Sequence, residues 1–70
     1  MHIIELRQEP VELYKILKFE GLASSGGEAK ALIADGQVLV NDEVETRKRR
    51  KMLAGDVITL AGERYLLKLS

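Results

Sequence analysis

The sequence has no cysteine, one histidine, one proline and three aromatic residues, and each shortage removes a class of explanation. Without cysteine there is neither a disulfide framework nor a thiolate metal site, a composition suited to a reducing cytoplasm. His2 is the only imidazole. No Asp, Glu or His cluster with metal-ligand spacing surrounds it, and no base stands near Ser24 or Ser25 to activate a nucleophile. Tyr14, Phe19 and Tyr65 are too few to stack a row of bases as single-strand binders do. Tyr14 and Phe19 fall on a helix, where core packing is the expected use, and Tyr65 suits a cross-strand core contact. The apolar runs are a few residues long and HIIELRQEP has no signal-like apolar region, so neither membrane spanning nor secretion is expected. The expectation is a cytoplasmic, non-catalytic module without metal or cofactor.

What is present is a 70-residue chain, one domain over residues 1–70, with a formal net charge of zero. A chain of this length buries only roughly 60% of the surface its unfolded form exposes, so its core is thin. The neutral total hides a strong asymmetry. Met1 to Glu45 sums to −5, and Thr46 to Ser70 sums to +5. One half therefore repels a polyanion while the other attracts it.

Hydrophobic period places the elements. His2 to Leu6 is β-branched and partly alternating, which predicts an edge strand. Pro10, with Glu9 and Glu12 beside it, suits the first turn of a helix running to Glu20, with Leu13, Ile16 and Leu17 buried and Gly21 ending it. Ser25 is a good N-cap, and Glu28 three residues on can close a capping box on the Ser25 amide. That second helix buries Ala29, Leu32 and Ile33 and ends at Gly36. The period then changes to two: Val38 and Val40 point one way, Leu39 the other, and Asn41-Asp42 makes a hairpin turn. Met52 and Leu53 return to the core, Val57 to Leu60 is a strand, and Ala61-Gly62-Glu63 is a turn. Arg64 to Leu69 closes the sheet with Tyr65, Leu67 and Leu69 on one face. The fold class is α+β, with two N-terminal helices packed on a small, mainly antiparallel sheet.

Two stretches invite a ligand. Arg47-Lys48-Arg49-Arg50-Lys51 crowds five cations, and a phosphate backbone would relieve their repulsion while releasing counterions. Arginine adds planar, bidentate phosphate recognition. A solvated loop, or a strand edge guarded by charge, accounts for the same run. Ser25, Gly26 and Gly27 start a helix, where orphan amides and the dipole favour an anion and glycine allows close approach. Capping and close helix contact explain that corner too. Lys30, one turn inside, is either an anion contact or a solvated side chain.

Ala29-Lys30, Leu32-Ile33, Gly36, Val38-x-Val40-Asn41 and Gly55-Asp56-x-Ile58 together resemble the S4 RNA-binding domain. The whole chain is similar to its short free-standing bacterial members. The match runs from about Leu13 to Leu60 in the expected order. The resemblance implies the α-L fold, in which a helix corner and an adjoining loop hold structured RNA. Carried onto this sequence, the contact surface is Ser25, Gly26, Gly27 and Lys30, with Arg47, Lys48, Arg49, Arg50 and Lys51 beside it. Family members often carry Arg where this chain has Gly26 and Gly27, and Gly where it has Asp42. Those departures shift the expected main phosphate contact to the basic loop.

The resulting expectation is a monomer that recognises structured RNA, ribosomal or ribosome-associated, by shape rather than base sequence. The alternative from another class is a protein-interaction adaptor whose basic loop docks on an acidic partner.

Overall fold

In the computed structural model, which describes all 70 residues, the N-terminal β-branched run is strand β1 (His2–Leu6). It lies at the edge of a five-stranded sheet. A strand thus precedes the two helices. Beyond it come β2 (Val11–Glu12), α1 (Leu13–Phe19), α2 (Gly26–Ala34), β3 (Val38–Val40), β4 (Glu43–Val44), β5 (Lys51–Met52), β6 (Val57–Leu60) and β7 (Glu63–Leu69). The large sheet has the order β1-β7-β6-β3-β4, and β2 with β5 forms a separate two-stranded ribbon. Only β1 with β7 is parallel; the other pairs are antiparallel.

The first helix starts later than its proline suggests. Val11 and Glu12 are extended and pair with Met52 and Lys51. The helix opens at Leu13, and Glu12 gives it no side-chain cap. Its first-turn amides are satisfied from elsewhere: Leu13 N–H donates to the Arg50 carbonyl at 2.9 Å and Tyr14 N–H to that of Lys48 at 3.1 Å. Tertiary hydrogen bonding from the basic loop thus replaces local capping. Both helices end in Schellman turns. In α1, Gly21 sits at φ +72° and Leu22 N–H reaches the Leu17 carbonyl at 2.9 Å. In α2, Gly36 at φ +79° lets Gln37 N–H reach the Leu32 carbonyl at 3.1 Å.

The α2 start follows a variant of the expected capping box. Ser25 Oγ accepts from Glu28 N–H at 3.1 Å, as anticipated. The Glu28 carboxylate goes one residue further back, taking Ser24 N–H at 2.9 Å and Ser24 Oγ–H at 3.0 Å rather than the Ser25 amide.

One cluster of 14 buried residues makes the core. Ile4, Leu6, Val38, Val40, Ile58, Leu60 and Leu67 come from the sheet, and Leu13, Ile16, Leu17, Ala29 and Ile33 from the helices. Ala23 and Met52 complete it. Three residues expected in the core or on its face lie outside it. Leu53 is 50% exposed, because it follows the last paired residue of β5 and enters the turn at Ala54; Leu69, at the end of its strand, is 51% exposed. Phe19 is 67% exposed, because it is the last residue of the helix, two positions past the buried Ile16-Leu17 pair.

The matched Asn41 and Asp56 do structural work. Asn41 at φ 51° and Asp42 at φ 70° form the two-residue loop of the β3–β4 hairpin. The Asn41 amide group donates to Asp56 Oδ1 at 3.1 Å, and its Oδ1 accepts from Val57 N–H at 2.9 Å. Asp56 Oδ2 in turn accepts from Leu53 N–H at 2.9 Å. This bond set ties the hairpin to the start of β6.

Candidate nucleic-acid interface

The basic run joins β4 to β5, and what it needs first is a way to hold like charges together. Glu45 supplies it. This carboxylate is the only buried charged residue, 6% exposed, and lies under the loop. Its Oε2 accepts from the Arg47 amide and from Arg47 Nε, both at 3.0 Å, and its Oε1 accepts from Arg47 Nη2 at 2.9 Å and Arg50 Nη1 at 2.8 Å. The Arg47 guanidinium, and to a lesser degree that of Arg50, pulls the Glu45 carboxyl down to about 2 against the upward push of burial. Arg47 is pushed up in return.

The loop is therefore a pinned turn. Arg50 N–H donates to the Arg47 carbonyl at 3.1 Å, and the carbonyls of Lys48 and Arg50 cap α1. On it Arg47, Arg49, Arg50 and Lys51 line an open basin of about 550 Å³ that contains no apolar side chain. Lys48 is exposed but is not part of this lining. Arg49 stands 3.8 Å from Glu12, which also holds Lys15 at 3.5 Å. So the five cations are not equivalent. Arg47 and Arg50 share one carboxylate, while Lys48 and Lys51 have no acidic partner within 4 Å.

The two stretches singled out in the sequence meet across Tyr14. Lys30 Nζ lies 4.7 Å from the ring centroid and Arg49 Cζ 5.6 Å, so a cation from α2 and one from the loop converge on one aromatic. Gly26 packs near the same ring: a Cβ there would lie 3.9 Å from the Tyr14 ring and 3.7 Å from Lys18. Gly27 is open, its nearest neighbour being Ser25 Oγ at 3.8 Å. Ser25 is committed to its capping bond. No protein group accepts from the amides of Gly26 and Gly27, leaving two donors aimed outward from the helix start.

Sequence reasoning did not mark Glu45, and it read Tyr14 as a core residue rather than part of this site. Glu45 had a signal: it is the last carboxylate before five cations, at a position where period two turns inward after exposed Val44. Tyr14 had none, because its partners lie on α2 and in the loop.

The chain matches the family model described as the S4 domain over residues 4–68. It is 54% identical over 52 residues, covering 74% of each chain, to Escherichia coli YbcJ, provisionally named an RNA-binding protein. It is 39% identical over 59 residues, covering 84% of this chain and 83% of the other, to Bacillus subtilis RlbA, named a probable ribosome maturation protein. The solution structure of E. coli YbcJ, described as revealing an αL motif involved in RNA binding, superposes with a TM-score of 0.72 at 45% identity. That likeness covers 97% of this chain and 87% of YbcJ. Fold and sequence therefore agree, and the chain belongs to the S4 domain family.

Proposed function

We propose that this chain is an RNA-binding module that holds phosphates of structured RNA on the turn from Arg47 to Lys51. The observation that carries the reading is the all-cationic basin on a turn fixed by Glu45 and by the capping of α1. Charges already fixed in position lose little entropy when phosphates arrive, and displaced counterions drive the association. Arg47 and Arg50 each keep guanidinium N–H donors that Glu45 does not use, so they can bridge carboxylate and phosphate. Arg49, Lys48 and Lys51 supply the net positive charge. Lys30 adds a cation beside Tyr14, and the free amides of Gly26 and Gly27, next to the Ser25 that caps Glu28 N–H, receive a further phosphate oxygen.

The basin has no aromatic or apolar lining with which to read bases, so it recognises backbone shape. The names of the relatives, an RNA-binding protein and a ribosome maturation protein, support RNA binding and a ribosomal setting; in our reading the chain acts there as a cytoplasmic monomer. An amide-resolved NMR titration with an RNA hairpin tests it. Shifts are expected at Gly26 to Lys30 and Arg47 to Lys51, weakening with salt. Shifts confined to β1, at the far edge of the sheet, would overturn it.

A further inference from the structure

Phe19 belongs to neither the core nor the basin, yet its surroundings are cationic. Its ring is 67% exposed at the end of α1, with Lys18 Nζ 5.2 Å from the centroid. Beside it runs a second open groove of about 550 Å³ whose lining includes Pro10, Val11, Lys15, Phe19 and Lys51. Lys51 also lines the basic basin, so the two depressions lie on either side of one cationic side chain. The one carboxylate in this groove, Glu12, is occupied by Lys15 at 3.5 Å and Arg49 at 3.8 Å. On its other flank Phe19 adjoins a mainly apolar groove whose charges are Glu5, Glu20 and one cation, Arg7, so that side offers a polyanion no net attraction.

We infer that Phe19 is a stacking platform for an unpaired nucleotide that leaves the structured RNA over Lys51. The inference rests on the RNA reading above and extends it to a second contact of different chemistry. A chain whose phosphates sit in the basin passes Lys51 and reaches the ring, where a base stacks regardless of its identity. Lys15 and Lys18 flank the ring and meet the phosphates of that nucleotide. The module then reads two things at once: a paired segment by its backbone and the single strand adjoining it by stacking. A lone exposed aromatic suffices, because the affinity comes mainly from the loop.

The experiment is fluorescence anisotropy with a blunt RNA hairpin and with the same hairpin carrying a short single-stranded extension at either end. Phe19→Ala is expected to weaken binding of an extended hairpin about tenfold and to leave the blunt one unchanged. Phe19→Trp is expected to restore the affinity, with its indole emission quenched only by the extended RNA. The exposed position makes an unaltered thermal melt of both variants the expected control. Equal affinity of wild type and Phe19→Ala for the extended hairpins would overturn the inference, and would point to a protein occupant of the ring. Equal losses on blunt and extended RNA would overturn it too. Failure of the wild type to bind any hairpin would overturn the underlying RNA reading, and this inference with it.

Discussion

Glu45 and Arg47, two residues apart, meet in a forked pair in which Nε and Nη2 of the guanidinium donate to the two carboxylate oxygens at 3.0 and 2.9 Å. The pair turns a run of repelling cations into a built surface. Removing the carboxylate leaves Arg47 and Arg50 without their shared anchor. Glu45→Gln is therefore expected to destabilise the fold by about 2 kcal/mol in urea melts at neutral pH. Because the loop also caps α1, far-UV circular dichroism is expected to show early fraying of that helix.

The same pair sets an acid dependence. Glu45 is depressed from 4.5 to about 2 in the folded chain, so its contribution is complete above pH 4.5 and is lost as pH falls towards 2. The loss expected is about 2–3 kcal/mol, reduced below the ideal figure by solvent around the exposed Arg47. Urea melts between neutral pH and the acid limit measure it. Glu45→Gln should flatten this part of the curve; an unchanged pH profile in that variant would remove the pair from the acid response.

Ala61 occupies φ 53° in the two-residue loop joining Leu60 to Glu63, a left-handed conformation that alanine disfavours. Ala61→Asn creates the Asn-Gly dipeptide preferred in this turn. It is expected to stabilise the fold by about 1 kcal/mol, raising the melting temperature by about 4–8 °C in calorimetry.

Gly26 and Gly27 separate two roles. Neither has positive φ, and an added Cβ would meet only ordinary contacts of 3.7 Å or more. Alanine at either position should keep the fold or stabilise it by up to about 0.5 kcal/mol. If the amides receive phosphate, the methyl groups obstruct that approach, and RNA affinity in a filter-binding assay is expected to fall severalfold. Undiminished affinity would confine the contact to the loop.

Asn41 shows what the sequence made legible. Its position after an alternating run predicted the hairpin, and Asn41 with Asp56 carried the family resemblance. Their hydrogen bonds explain why such residues recur in a fold pattern: they join two turns. Asn41→Ala is expected to cost about 1–2 kcal/mol by chemical denaturation, from a lost cap on Val57 N–H and a strained φ.

Elements with their own period or cap were readable: β1, α2, the β3–β4 hairpin and β7. The start of α1 was not, because Val11 and Glu12 take their conformation from Met52 and Lys51, some 40 residues away in the chain. Proline's local preference gave way to that pairing. The basic run was visible as composition, but its internal division depends on Glu45, whose importance is tertiary. Phe19 was misread because it is the last residue of α1, where no further element covers that side of the helix.

The division of the loop matters for the decisive measurement. Reversing Arg47 or Arg50 would set a second carboxylate against Glu45 and confound binding with folding. Arg49 and Lys51 line the basin without touching Glu45. The Arg49→Glu, Lys51→Glu double variant sets new carboxylates beside Glu12, so its melting temperature should fall while it stays folded at room temperature, and it should lose RNA-hairpin binding across the salt range. The milder Arg49→Gln, Lys51→Gln variant should show a log–log salt slope reduced by about 2. A folded charge-reversed variant that binds the hairpin with wild-type affinity and salt slope would contradict phosphate capture by this turn.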